Sequence, residues 1–350
     1  MIDDYGYLNA RVRGMSSYLL GVEVYPSLVE SGGLEAFANR LSEIPLYKKL
    51  IEKERTSTAV LDVTGTEAAI QAAYVENVSK VRAISGGVPA MLVDLHLSRF
   101  DLHNVRTLVR GLVGGHISSE IISGTIPLGS FGQAEIDELA KSGNVRELIS
   151  TLVTWGVPCG EILRAAAKGR DIEEDILGFE AAIDGAWYPW AVESAKSIKN
   201  GRDLVDVLTS EIDLRNIVNM LKLARQGVGF DESVAMVIKG GSLTDGLLAE
   251  LAGVADLKSA LDIVSRTRFA VAISAIESIS EQQVTGVEGE VERLLMRNFS
   301  KLFRKDPLGF STILGYMWRR HAEYVDLRLI AHGIAFGLPM SGVRSQLVNS

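Results

Sequence analysis

Residues 92–104 read LVDLHLSRFDLHN, and residues 204–216 read LVDVLTSEIDLRN. Seven of the thirteen positions are identical at an offset of 112. Upstream, Glu67-Ala68-Ala69-Ile70 recurs as Glu180-Ala181-Ala182-Ile183, and an aromatic, Tyr74 or Trp187, stands seven residues after each glutamate. A weaker third copy is read from Glu292 with Phe299 seven residues later, and from Asp326-Leu327-Arg328, 113 residues beyond Asp213-Leu214-Arg215. Internal repetition is the first thing to settle in a sequence, because it decides the whole fold. A period near 113 residues is too long for a solenoid repeat and is the size of a small domain. The expectation is an all-α protein of three similar helical lobes in a pseudo-threefold arrangement, with approximate bounds 1–120, 121–232 and 233–350. The N-terminal helix is expected to pack with the third lobe.

Helical periodicity supports this. Leu214, Ile217, Val218 and Leu221 fall on one helix face, and Leu102, Val105, Leu108 and Val109 nearly repeat the pattern. Gly111 and Gly227 are read as the ends of those helices. Asp306-Pro307 reads as a cap and first-turn proline opening a long helix to about Gly333, closed by Gly337-Leu338-Pro339. Breaks are expected at Ser31-Gly32-Gly33, Ser85 to Pro89, Gly129 to Gly132, Lys199-Asn200-Gly201 and Lys239 to Ser242.

Composition narrows the class. The 350 residues are 47% hydrophobic and 23% charged, an ordinary globular balance. Mean hydropathy is +0.17, yet no run of 18 uncharged apolar residues offers a membrane span. Met1-Ile2-Asp3-Asp4 lacks the basic and apolar regions of a signal peptide. The single cysteine excludes an internal disulfide and a cysteine-based zinc site. These features make the cytosol, or a cytosolic face, the expected compartment. A net charge of −8 argues against nucleic acid as a partner. Residues 289–350 carry nine Lys/Arg and five Asp/Glu, net +4, so the remainder carries −12.

The chemistry-bearing residues assemble no catalytic motif. No glycine-rich stretch ends in Gly-Lys-Ser/Thr, and Lys239-Gly240-Gly241-Ser242 is read as a turn. The five histidines show no metal-binding spacing; His103 is matched by Arg215 in the second copy, which defeats a repeat-wide metal site. Cys159 reads as a structural thiol, and Glu173-Glu174-Asp175 as a solvated helix start. Asp101, Asp213 and Asp326, with Glu67, Glu180 and Glu292, recur in every copy and are read as architecture, since an active site is rarely built three times. Asn104 and Asn216 are expected to bond neighbouring backbone. Tyr74, Trp187 and Phe299 are assigned to the core. Arg319-Arg320-His321 is read as a solvated stripe, with contact to an acidic partner as the alternative. No catalytic residue, cofactor, metal or small-molecule substrate is expected.

Tyr7-Leu8-Asn9-Ala10-Arg11-Val12-Arg13, Arg99-Phe100-Asp101-Leu102-His103-Asn104, Glu211-Ile212-Asp213-Leu214-Arg215-Asn216, Asp306-Pro307-Leu308-Gly309, Val325 to Ile330 and Phe336-Gly337-Leu338-Pro339 together carry a resemblance. In order along nearly the whole chain, they resemble the C subunit of the archaeal and bacterial A/V-type ATPases, counterpart of the d subunit of the eukaryotic V-ATPase. The resemblance implies a funnel of three helical lobes. It implies a non-catalytic rotor part of the central stalk, peripheral to the membrane and set on the cytoplasmic end of the proteolipid ring. The D and F axle subunits insert into it, so that ATP hydrolysis or synthesis is coupled to H+ or Na+ transport. Two competing readings are a helical enzyme with a pocket between lobes and a helical scaffold unrelated to ATPases.

Overall fold

The computed structural model describes residues 5–57, 61–254, 256–270 and 284–349, and gives only the backbone for 57 and 284–287. The chain is all-α, with no strand among the described residues. Six long helices carry it: α1 (Val63–Ile84), α2 (Gly87–Val113), α3 (Ile176–Ser197), α4 (Arg202–Gln226), α5 (Val284–Ser300) and α6 (Phe310–Ala335). The chain divides into two compact units, one of Met1–Pro89 with Glu292–Ser350 and one of Ala90–Val291.

The first unit is built around α6. The first turns of α6, Phe310 to Trp318, are buried on every face, as a central core helix must be, and its last turns are partly exposed. Close approach is what Gly315 allows: a Cβ there would stand 2.0 Å from the backbone nitrogen of Phe303. Helix α1 packs on α6, with Tyr74 stacked on Tyr324 at 4.7 Å between ring centres. The N-terminal helix Tyr5–Met15 packs on the start of α6, and Asn9 Nδ2 donates to the carbonyls of Pro307 (3.0 Å) and Gly309 (3.1 Å). Short helices Tyr25–Val29, Leu34–Ser42 and Pro45–Ser57 follow.

In the second unit α3 and α4 form a hairpin through Lys199-Asn200-Gly201. Asn200 takes the left-handed conformation at φ 65°, and a Cβ on Gly201 would meet Ala195 O at 2.0 Å. After α2 the chain forms Gln133–Leu139, Val145–Thr154 and Pro158–Ala167. After α4 it forms Asp245–Ala252 and Leu257–Val264. The buried side chains of Phe179, Ile183, Trp187, Ile212 and Ile217 hold the hairpin together.

Helix starts repeat chemically. Asp62 caps α1 by accepting from Gly65 N at 2.8 Å, and Asp175 caps α3 by accepting from Gly178 N at 2.9 Å. Helix ends repeat more closely. Gly115, Gly227 and Gly337, each just past the end of α2, α4 or α6, adopt φ of 69°, 67° and 64°. The next amide bonds back to the carbonyl five residues earlier: His116 to Gly111, Val228 to Leu223 and Leu338 to Gly333, at 2.8–3.1 Å. These are three Schellman turns.

Three sequence expectations are corrected here. Gly111 does not end α2, which runs on to Val113. Its role is close packing, since a Cβ there would lie 2.4 Å from Ile121 Cγ1, as one on Gly333 would lie 2.6 Å from Val343 Cγ2. Asp306-Pro307 does not open α6 directly; the helix starts at Phe310, and Asp306 instead holds the preceding turn by accepting from Leu308 N at 3.0 Å. Arg319-Arg320-His321 is no solvated stripe, because Arg320 is only 2% exposed. The physical reason is that Arg320 points inward onto Glu323 and Tyr316, while Arg319 and His321 on either side are half-buried.

At Gly115, Gly227 and Gly337 a Cβ would meet nothing within 4 Å. Space is therefore not the constraint; the positive φ is. Replacing any one by alanine is expected to cost roughly 1 kcal/mol of stability, and the three losses are expected to add. Urea unfolding of the single and combined variants measures this.

Candidate functional site

The most closely repeated polar geometry lies on the second long helix of each copy. Asn104 of α2 receives Ile126 N on Oδ1 (2.8 Å) and donates Nδ2 to Ile126 O (2.7 Å). Asn216 of α4 does the same with Ile238, at 2.8 Å in both directions. Asp326 of α6 accepts from Val348 N at 2.7 Å and from Asn349 N at 3.0 Å. The bonded amide lies 22 residues after the side chain each time. A buried backbone N–H must find an acceptor, and this side chain supplies one where the returning segment has no helix or sheet.

One helical turn earlier stands a carboxylate. Asp101 accepts from Ser130 N at 2.8 Å. Asp213 accepts from Ser242 N at 2.7 Å, from Leu243 N at 3.0 Å and from Arg268 Nη2 at 2.7 Å. In the third copy the corresponding group is Glu323, which accepts from Leu20 N at 2.7 Å, from Tyr47 Oη, and from Arg320 Nη1 at 2.7 Å. Burial raises Glu323 above the usual carboxylate range, and the Arg320 charge beside it opposes the shift. The third copy is thus completed by the N-terminal segment: Leu20 reaches Glu323 across 303 residues of sequence.

These bonds shift the register of the third copy. Asp326 occupies the position of Asn104 and Asn216, not that of Asp101 and Asp213, and Glu323 takes the aspartate position. Nor do Asn104 and Asn216 bond neighbouring backbone; their partners are 22 residues away. The carboxylate also explains two glycines. A Cβ on Gly129 would lie 2.4 Å from Asp101 Oδ1, and one on Gly241 would lie 2.2 Å from Asp213 Oδ1.

The recurring glutamates form a second set of contacts. Arg110 of α2 grips Glu180 of α3 with two bonds of 2.5 and 2.6 Å. Lys222 of α4 pairs with Glu288 of α5 at 2.9 Å. On α6, Arg328 Nε (2.8 Å) and His332 Nε2 (2.6 Å) both meet Glu67 Oε1 of α1. Arg110, Lys222 and His332 each stand six residues after the clamping side chain. Each seam joins the second long helix of one copy to the first long helix of another. Between α2 and α3 a second pair, Arg106 with Asp184, is more buried. Desolvation, then the nearby Arg215 charge, push Arg106 down to about 10. Exposed ion pairs contribute little to stability, so their value lies in fixing register along the seam.

Glu292, aligned from sequence with Glu180, is exposed one turn beyond Glu288 on α5. The missed signal is Val63-Thr64-Gly65 before Glu67, which recurs as Val284-Thr285-Gly286 before Glu288. Tyr74, Trp187 and Phe299 are all buried. Cys159 is buried, and burial followed by the Asp101 charge pushes its thiol up to about 12, which leaves no thiolate nucleophile at neutral pH. His103 faces Gly124 O at 3.1 Å. Glu173, Glu174 and Asp175 are exposed and Asp175 caps the start of α3, in line with a solvated helix start. No group of three or more His, Cys, Asp or Glu side chains could hold a metal among the described residues. No described helix is long and apolar enough to cross a membrane.

Asp326 is 0% exposed, and burial pushes it up to about 6 against the backbone bonds that oppose the shift. Its unfolded value is near 3.8. Between these values the folded chain holds the proton more tightly than the unfolded chain. This group's contribution is therefore greatest at low pH, falls as pH rises from about 4 to about 6, and is flat above. Asp326→Asn removes that dependence and keeps one acceptor for Val348 N, at the loss of the oxygen that accepts from Asn349 at both pH values. The stability of the variant relative to the parent chain is expected to rise by on the order of 3 kcal/mol from pH 4 to pH 7.5. Denaturant titrations at both pH values check it.

Comparison with known proteins accords with this architecture. The model of the ATP synthase (C/AC39) subunit family matches residues 8–346. The C subunit of an A-type ATP synthase of Haloferax volcanii is 29% identical, with 98% of this chain and 97% of that protein covered. The C subunit of an A-type ATP synthase of Methanosarcina barkeri is 27% identical, over 99% of this chain and 93% of that one. The C subunit of a V-type ATP synthase of Deinococcus radiodurans is 25% identical, over 99% and 92%. A scaffold unrelated to ATPases is thereby set aside. With repeated clamps and seams accounting for its recurring residues and a match along almost its full length, the chain belongs to the ATP synthase (C/AC39) subunit family.

Proposed function

We propose that this protein is a non-catalytic rotor component of the central stalk. It couples an axle, formed by the D and F subunits, to the proteolipid ring of an A/V-type ATPase, supporting ATP synthesis or ATP-driven H+ or Na+ transport. It sits at the cytoplasmic face of the membrane as a peripheral protein. Family membership across residues 8–346 is the observation that carries this reading.

The physical features are those such a part needs. A torque-bearing adaptor must not shear along its helix seams. Here the recurring acidic residues Glu67 and Glu180 pair across helices, and Asp101, Asn104, Asp213, Asn216 and Asp326 bind backbone. We assign all of them to architecture. Three similar lobes about a pseudo-threefold axis, open as a funnel to receive the axle, fit the three copies of the clamp. The third lobe on this reading includes residues 20–57, which moves its bounds from those the repeat period suggests.

The test is affinity purification of the tagged full-length protein from gently solubilised membranes of its own host. The expected result is recovery of the proteolipid ring together with the D and F axle proteins. Recovery from the soluble fraction alone, with no other part of an ATPase, overturns the rotor reading.

A further inference from the structure

The third clamp differs from the other two in how its partners are tied together. In the first copy the amides held by Asn104 and Asp101 belong to Ile126 and Ser130, four residues apart on one segment. In the second they belong to Ile238 and Ser242. If one bond opens there, the other keeps the segment at high effective concentration. In the third copy the two amides come from unrelated segments. Val348 N and Asn349 N lie on Asp326, while Leu20 N lies on Glu323.

The C-terminal segment is therefore held by its own contacts rather than through a continuous clamp. Arg297 of α5 donates Nε to Val348 O (3.1 Å) and Nη2 to Leu347 O (2.9 Å). Asn349 Nδ2 donates to Asp326 Oδ2 at 2.8 Å and approaches Tyr25 Oη at 3.3 Å. Leu347 and Val348 are the apolar anchors, 1% and 6% exposed. Just before them, Ser345 and Gln346 are exposed. The segment has no helix or strand of its own; two apolar side chains and side-chain bonds to Asp326, Arg297 and Tyr25 hold it, which places it below the helices in local stability.

We propose that residues 346–349 form a releasable latch. The segment leaves Asp326, Arg297 and Tyr25 as one piece while α4 and α6 stay folded. Its departure uncovers Tyr25 and loosens the Leu20–Val29 segment that completes the third copy. No equivalent opening exists in the first two copies, where the chain is continuous through the clamp.

Amide hydrogen exchange followed by mass spectrometry on the full-length protein at pH 7 tests this. Peptides over residues 346–349 are expected to exchange through an opening with little denaturant dependence, much faster than peptides within α6 or α4. Peptides over residues 20–29 are expected to follow them. Arg297→Ala is expected to speed exchange in both segments about tenfold and leave α4 unchanged. Asp326→Ala is expected to act in the same direction. Should Asp326→Ala fail to fold, Arg297→Ala on its own decides. In the first copy, Asn104→Ala is expected to expose Ile126 while Ser130 stays protected. The proposal is overturned if residues 346–349 exchange only through the opening that exposes α6. It is equally overturned if Arg297→Ala leaves their exchange unchanged.

Discussion

A side chain on a buried helix that holds the backbone of a segment 22 residues further on is the constraint to which the other features answer. Each second long helix ends in a Schellman turn and is followed by one short helix, Ser118–Ser123, Phe230–Ala235 or Met340–Ser345, after which the chain comes back against the long helix in neither helix nor strand. Its amides and carbonyls lie in the interior at Ile126, Ile238 and Val348. An unpaired amide there costs about 1–3 kcal/mol. Asn104 and Asn216 answer with both a donor and an acceptor, and Asp326 answers with two acceptor oxygens for two amides. The glycine after each helix, the crowded glycines at 129 and 241, and the carboxylate one turn earlier all follow from bringing that segment so close.

The interior polarity has a price in charge. Arg320 and Glu323 are each 2% exposed and are bonded to one another, with Tyr47 and Leu20 filling the remaining positions on the carboxylate. A buried pair of this kind gains little over an apolar pair of the same shape, but losing one member leaves a charge stranded. What it gives is specificity: only a segment presenting an amide at residue 20 and a hydroxyl at residue 47 satisfies it. The ion pairs at the seams act more weakly and in a different way. They are partly solvated, and they choose which turn of one helix lies beside which turn of the next.

Much of this is legible in the residues alone. The all-α class, the glycine-rich breaks, the pairing of residues 92–104 with 204–216 and the structural nature of Cys159 follow from local rules of periodicity and turn chemistry. The third copy is legible only in outline. Aligning Asp326 with Asp213 is reasonable on letters, since both stand before Leu-Arg. Sequence identity rewards the residue type, whereas the fold requires an acceptor facing a particular amide. Asparagine and aspartate both meet that need, as do aspartate and glutamate one turn earlier. Chemical equivalence across different letters hides the true register, and the same degeneracy hides Lys222 and His332 as counterparts of Arg110.

The sequence by itself determined that this is a repeated helical protein of the ATP synthase (C/AC39) subunit family, because helix propensity, capping residues and the order of motifs are properties of short stretches. Only the tertiary structure decided that Arg320 lies in the core, that Glu288 takes the seam position opposite Lys222, and that Leu20 closes the copy begun at α5. Each of these depends on which groups are left without water once distant segments pack. Burial is a property of the assembled unit, and no window of sequence contains it.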